Sequence, residues 1–289
     1  MERVSIMNRK RRISDDILTA VIYLSAFIAV AILVGIIGYV FFRGISQVNW
    51  EFLTNVQSAS KGTVGIAGNI VNTLYIVILT LLVVTPIGIG GAIYLSEYAK
   101  PGKFVSLIEF TIETLTGIPS IIFGLFGMVF FGQSLYLGYS ILTGAFTLTL
   151  MILPLITRNT QEALKTVPLS YRSGALGIGA TKWYMIRTIL LPSAMPGIIT
   201  GIILAIGRIV GESAVLLYTV GMSMQMQDFF RNGLESFFSA SGSTLSVALY
   251  VYAKVRADFD LAFSVAVVLI IITLVINLAA NLAGRKLKK

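Results

Sequence analysis

From Ile17 to Phe42 the chain runs for 26 residues without a charged side chain. A helix rises 1.5 Å per residue, so about 20 apolar residues cross the roughly 30 Å hydrocarbon core of a bilayer. In hydrocarbon every backbone N–H and C=O must find a partner inside the segment, and a helix is the one local structure that manages this. Five further apolar runs follow: Ile70–Leu95, Val105–Phe131, Tyr139–Thr157, Ser193–Val220 and Leu261–Ala283. The sequence therefore predicts an all-α integral membrane protein with six transmembrane helices. The first run exceeds the 7–15 residues of a signal-peptide core, so it is expected to stay as an uncleaved anchor. Charged residues make up 12% of the chain, against about 25% in soluble domains.

Where the charges fall sets the expected orientation. Residues 1–16, the 96–104 turn, the 158–192 loop and residues 284–289 hold 16 of the 22 Lys and Arg. The loops at 43–67, 132–138 and 221–260 hold 5, and the remaining one is Arg208. Short cytoplasmic loops carry the excess of Lys and Arg, which predicts both termini in the cytoplasm. The net charge of +9 is accounted for by this orientation, with membrane lipid as the surrounding and no nucleic acid partner. Trp50 and Phe52 suit a membrane–water interface. A weak apolar helix is expected near Leu245–Tyr252 in the last outer loop.

Catalysis finds little material. The chain has no His and no Cys, which removes the usual zinc ligands, thiol nucleophiles and imidazole acid–base chemistry. The phosphate-binding pattern GxxxxGK[ST] is absent: Gly102-Lys103 is followed by Phe104, and Gly284 by Arg285. No metal and no cofactor is expected on this chain, and ATP hydrolysis is not expected of it. Met222, Met224 and Met226 alternate, which reads as packing or interfacial methionine. Glu109 and Glu113 read as solvated residues near one end of the third span.

Arg208 and Glu212, in AIGRIVGES, carry the sharpest signal. Both fall inside the predicted fifth span, four residues apart, a spacing that puts them on one helix face. Ionisable residues there normally face a bundle interior or a wet pathway. Two readings stay open: a self-neutralising pair pinning a helix contact, or part of a transport pathway, for which the planar guanidinium fork suits an oxyanion. Gly197 with Gly201, and Gly207 with Gly211, give small residues at a spacing that lets helices approach closely. A polyamine pathway would call for acidic groups instead. A membrane scaffold that docks soluble partners would leave the charged pair unexplained.

The stretch Tyr171–Pro192, YRSGALGIGATKWYMIRTILLP, is the mixed polar and apolar segment between the fourth and fifth spans. It carries Arg172, Lys182 and Arg187, each of which would cost about 2.5–3.5 kcal/mol at the bilayer centre. It is expected to be a folded cytoplasmic loop with a surface for a soluble partner, or else a charged turn.

Within it, Gly179 is followed after nine residues by Ile189, Leu190, Leu191 and Pro192. This resembles the EAA motif of ABC-importer permeases, a Gly, nine residues, then Ile-x-Leu-Pro. The family's Glu-Ala-Ala aligns with Ser173, Gly174 and Ala175, so its acidic residue is replaced by Ser173. The resemblance narrows to phosphate-importer permeases of the PstA type through TLTGIPSIIFGLFG (Thr114–Gly127), GATKWYMIRTILLP (Gly179–Pro192) and AIGRIVGESAVLLYT (Ala205–Thr219).

It implies a type I ABC-importer permease fold over residues 66–283, with 158–192 as coupling loop. A tail, first helix and outer loop over 1–65 and a basic tail over 284–289 flank that domain. The resemblance further implies a heterodimer with a PstC-type permease, a cytoplasmic PstB-type ATPase dimer holding ATP and Mg, and an extracytoplasmic PstS-type phosphate-binding protein. Arg208 and Glu212 would line the substrate pathway. Ser173, Gly174, Ala175, Gly177, Gly179, Ala180, Thr181, Lys182, Trp183 and Pro192 would couple to the ATPase, through a helix near Gly174–Trp183.

Overall fold

The computed structural model describes residues 13–58, 63–223 and 241–286. Helix α1 (Ile13–Gly44) contains the first predicted span. Most of its side chains are exposed in the single chain, as suits a helix bathed in lipid. Only its last turns are tied down. The Tyr39 ring meets Phe263 edge-on at 5.6 Å, and the Gly44 carbonyl accepts a hydrogen bond from Ser264 Oγ at 2.9 Å.

A short helix α2 (Trp50–Thr54) follows, capped by the Asn49 side chain, which accepts from Phe52 N at 2.8 Å. Strands β1 (Val56–Ser58) and β2 (Thr63–Ile66) pair antiparallel, with Val56 opposite Ile66. Helix α3 (Ala67–Ile93) holds the second span and continues through a wider turn to Tyr98.

The third span departs from the expected Val105–Phe131 rod. Helix α4 (Lys103–Thr116) and α5 (Ser120–Gly127, extended to Ser134) meet at 103°. The break falls at Gly117-Ile118-Pro119 because the residue before a proline is pushed out of the α region. Among the described residues, five helices are long and apolar enough to cross a membrane, or six if this bent pair counts as one span. Glu109 and Glu113 are exposed on α4. Met222 is exposed, while Met224 and Met226 lie outside the described residues.

Helix α6 (Ile141–Lys165) is the central post, with 67% of its most apolar stretch buried. It outlasts the predicted Tyr139–Thr157 by two turns. Around it, Ile76, Val84, Leu148, Ile152, Ile206, Ile209 and Leu216 form the main core. Helix α7 (Leu169–Gly177) and α8 (Lys182–Met185) make up the central loop. From α8 the chain passes without interruption through a wide turn, Ile186–Leu190, into α9 (Leu191–Gly211). Lys182–Gly211 is thus one apolar helix of 30 residues, about 45 Å long at 1.5 Å per residue. Pro192 has no N–H for the carbonyl one turn back, and the widened turn ahead of it accommodates that missing bond.

The fifth span was expected as Ser193–Val220. Instead the rod starts eleven residues earlier and stops at Gly211, where Glu212 turns extended (φ −75°, ψ 121°) before α10 (Ala214–Thr219). Helix α11 (Leu245–Tyr250) is the predicted apolar helix of the outer loop, but it is inserted into the fold rather than laid on it. Leu245, Ser246, Val247 and Ala248 are all buried. Irregular backbone at such depth is stable only where protein satisfies it. Here Asn69 and Asn72 donate their side-chain N–H groups to the Ser243 carbonyl at 3.1 and 3.2 Å, and Leu245 N donates to Thr73 Oγ1 at 3.0 Å.

Helix α12 (Phe259–Lys286) closes the fold. Its start lies against the end of α1, and its far end, at Gly284, against Ile199 near the start of α9. The C-terminal end of α12 and the 158–192 loop therefore sit at the same end of the bundle.

Candidate functional site

Two places carry the chemistry singled out in the sequence, and the α8–α9 rod connects them. The first is the central loop. The expected helix over Gly174–Trp183 is in fact two helices around a turn. Helix α7 ends with Gly179 N–H donating to the Leu176 carbonyl at 3.0 Å and Ala180 N–H donating to the Ala175 carbonyl at 3.1 Å. This is the paired-bond helix stop that needs a left-handed residue just past the end. Gly179 supplies it, with φ +84°. The chain then restarts at once: Thr181 Oγ1 caps α8 by accepting from Tyr184 N at 3.3 Å. The spacing of Gly174, Gly177 and Gly179 hinted at a break, but only the bond pattern says which Gly makes it.

The loop presents an apolar surface outward. Ile178 is 87% exposed, Leu169 76% and Trp183 59%, with Tyr184 and Leu176 beside them. Ser173, Gly174, Gly177, Gly179, Thr181, Lys182 and Pro192 are exposed too, and Ala180 is half-buried. Ala175 is buried, packing with Met185, Ile186 and Leu190 against Leu164 and Val167. On a loop too charged for lipid, an exposed apolar set of this kind suits a protein-docking surface. Leu169, Tyr171, Ile178 and Tyr184 belong to it but were not singled out from sequence, where nothing tells an outward Ile from an inward one. Ser173, at the position of the motif's Glu, turns its hydroxyl back on the helix and donates to the Leu169 and Ser170 carbonyls at 3.2 and 3.3 Å.

The second place is the far end of the rod. Arg208 and Glu212 do not share a helix face. Arg208 lies in the last turn of α9, and Glu212 is the residue where that helix ends. Among the described residues Arg208 forms no ion pair and no side-chain hydrogen bond. Glu212 works locally: its Oε1 accepts from Ala214 N at 3.1 Å and Val215 N at 3.3 Å, which starts α10, and its carbonyl accepts from Ser246 Oγ at 2.7 Å. The self-neutralising pair is therefore not formed. Glu212's preference for free N–H groups over a guanidinium four residues back is what breaks the helix.

Arg208 is exposed on a stripe with Pro192, Pro196, Thr200 and Leu204, every fourth residue along the rod. Gly207 and Gly211 beside it have open space where a Cβ would be. The other small pair behaves differently. A Cβ on Gly197 would sit 2.6 Å from Ala163 Cβ, and one on Gly201 2.7 Å from Asn159 Cβ. That pair sets the close approach of α9 to α6, while among the described residues nothing lies within 4 Å of where a Cβ on Gly207 or Gly211 would be. Left to lipid, the guanidinium would cost about 2.5–3.5 kcal/mol near the bilayer centre, so this stripe suits a second protein surface or a wet path.

Comparison with known proteins gives the family. Over 223 residues the chain is 40% identical to a probable ABC transporter permease protein, YqgI, of Bacillus subtilis (strain 168), covering 77% of this chain and 75% of that one. It is 31% identical over 232 residues to the phosphate transport system permease protein PstA of Mycobacterium leprae (strain TN), covering 78% and 76%. Its fold is similar to that of a chain of a bacterial ABC transporter involved in import of the acidic polysaccharide alginate, with a TM-score of 0.66 at 18% identity over 96% of this chain and all of that one. The inward-facing MetNI methionine ABC transporter gives 0.59 at 20% identity, over 78% and 95%. Residues 85–289 match the model of the binding-protein-dependent transport system inner membrane component, and the chain belongs to that family as the permease subunit of an ABC importer.

Proposed function

We propose that this chain is the PstA-type subunit of an importer of inorganic phosphate, driven by ATP that a separate subunit hydrolyses. The observation that carries the proposal is Arg208: a guanidinium with no ion pair among the described residues, at one end of a 30-residue rod whose other end begins in the exposed apolar loop. A guanidinium fork binds phosphate-like oxyanions in two-point fashion. The names of relatives support the substrate, since PstA proteins of Mycoplasma, Mycobacterium and Xylella are 31–36% identical to this chain.

In this reading the Lys- and Arg-rich end of the bundle, with both termini, faces the cytoplasm. A PstB-type ATPase dimer, with its ATP and Mg, receives α7 and the Gly179 turn. A PstC-type permease covers the Arg208 stripe, so that the pathway runs between the two permeases. A PstS-type protein delivers phosphate from outside. ATP-driven closure pushes the loop, the rod carries the motion to Arg208, and the pathway alternates between inward-open and outward-open states.

The test is uptake of labelled phosphate by vesicles containing the complete transporter. ATP-dependent uptake that excess sulfate leaves intact is the expected result. Uptake of another oxyanion in place of phosphate would overturn the substrate, and uptake by this chain alone would overturn the mechanism.

A further inference from the structure

Three ion pairs occur among the described residues, and one differs in kind. Arg158–Glu162 and Lys165–Glu162 are exposed neighbours on α6, the sort worth little. Arg172–Glu97 is long-range and buried, with the Glu97 side chain 7% exposed and that of Arg172 19%. Glu97 ends α3, and Arg172 lies in α7. Arg172 Nε and Nη2 donate to Glu97 Oε1 at 3.2 and 3.0 Å. Nη1 donates to the Val167 carbonyl and Nη2 to the Leu164 carbonyl, both at 3.0 Å, at the end of α6. The next residue along, Tyr98, has Lys182 Nζ 5.1 Å from its ring centre, and Lys182 starts the rod. Two consecutive residues of α3 thus hold both arms of the loop on either side of Gly179.

We infer that Glu97 and Arg172 form the clamp that makes the coupling loop move as one body with α3 and α6; both are positioning residues. Leu164 and Val167 are buried, so Arg172 supplies donors that their carbonyls would otherwise lack and ties the end of α6 to the same guanidinium that holds Glu97. What a buried, fork-bound pair provides is a single geometry. A guanidinium held at four points cannot slide, and Lys could not replace it. Glu97→Gln keeps an acceptor for the guanidinium and Arg172→Lys keeps the charge but loses the planar fork, so each loosens the clamp without emptying the site. A loop released from the clamp would still dock on the ATPase, but its displacement would be spent within the loop instead of reaching the rod.

The inference rests on reading 158–192 as the ATPase-docking loop. It is tested in the complete reconstituted transporter with Glu97→Gln, Arg172→Lys and the double variant. Expected are normal assembly and basal ATP hydrolysis. Stimulation by phosphate-loaded binding protein should fall roughly 2- to 30-fold, the span that changes within a coupling network produce. More ATP should be spent per phosphate, and the double variant should be no worse than either single one. Unchanged stimulation, or a loss that only tracks the amount of assembled complex, would overturn it.

A second readout needs no substrate. The chain has no native Cys, so spin labels at Tyr94→Cys and Ser170→Cys report the α3–α7 distance. That distance should stay the same with and without ATP in the parent and broaden with ATP in Arg172→Lys. Invariance in both would overturn the clamp. If the parent transporter ignores phosphate yet shows this pattern, the substrate assignment fails and the clamp stands.

Discussion

The turn at Gly179 permits a graded test. Its φ of +84° lies in the left-handed region, and a Cβ there would meet nothing within 4 Å. Substitution therefore costs conformational energy alone, with no clash: about 1–2 kcal/mol for an ordinary L-residue. That changes the balance between the formed turn and its alternatives by a factor of roughly 5–30. The two bonds that end α7, from Gly179 N to Leu176 O and from Ala180 N to Ala175 O, depend on that turn. Asn tolerates the left-handed region better than other L-residues. In proteoliposomes holding the complete transporter, ATP spent per phosphate imported should rise in the order Gly179, Gly179→Asn, Gly179→Ala, Gly179→Val. The thermal stability of the membrane bundle should hardly change, since Gly179 itself is exposed and a side chain there would touch none of it. If Asn and Val behave alike, size rather than φ limits the site. If all variants couple as the parent does, the turn does not transmit force.

Arg208→Ala should abolish phosphate uptake while the complex still assembles in size-exclusion chromatography; failure to assemble would favour a structural role for Arg208. Gly197→Leu would drive a side chain into Ala163, whose Cβ lies 2.6 Å from the position a Cβ would take, and overpacking of about 1–3 kcal/mol should lower the midpoint of thermal unfolding in detergent. Glu212→Ala removes the acceptor for Ala214 N and Val215 N, at about 0.5–2 kcal/mol for a lost helix cap, seen in the same assay, with Glu212→Gln largely retaining stability. Ile178→Asp, at an 87% exposed position, should leave the permease folded but prevent its co-purification with the ATPase.

Much of this was legible beforehand because hydrocarbon imposes few choices. Long uncharged runs must be helices, and the Lys and Arg count separates the two ends of the bundle. The loop motif survived as well, since Gly179 and Pro192 each answer a local backbone need: a left-handed φ in one case, a missing N–H in the other. The third span shows the limit. Val105–Phe131 reads as continuous apolar sequence, yet it folds back at Ile118–Pro119 by 103°. Hydropathy reports what a segment avoids, not which way it points.

Arg208 and Glu212 mark the boundary between the two kinds of knowledge. Their spacing placed them on one face only so long as the helix continued. Whether it continues depends on a competition that periodicity does not represent, between the next intrahelical bond and the Glu212 carboxylate reaching the N–H groups of Ala214 and Val215. The same holds for Glu97 and Arg172, 75 residues apart in sequence, and for α11, whose burial depends on Asn69, Asn72 and Thr73 of a distant helix. The sequence alone determined the solvent, the helical class, which loops hold most of the Lys and Arg, and the motif within the central loop, since each follows from composition or from neighbouring residues. Where the helices break, which charges meet and which face Arg208 shows were decided only in three dimensions, because they depend on donors and acceptors that folding brings together from far along the chain.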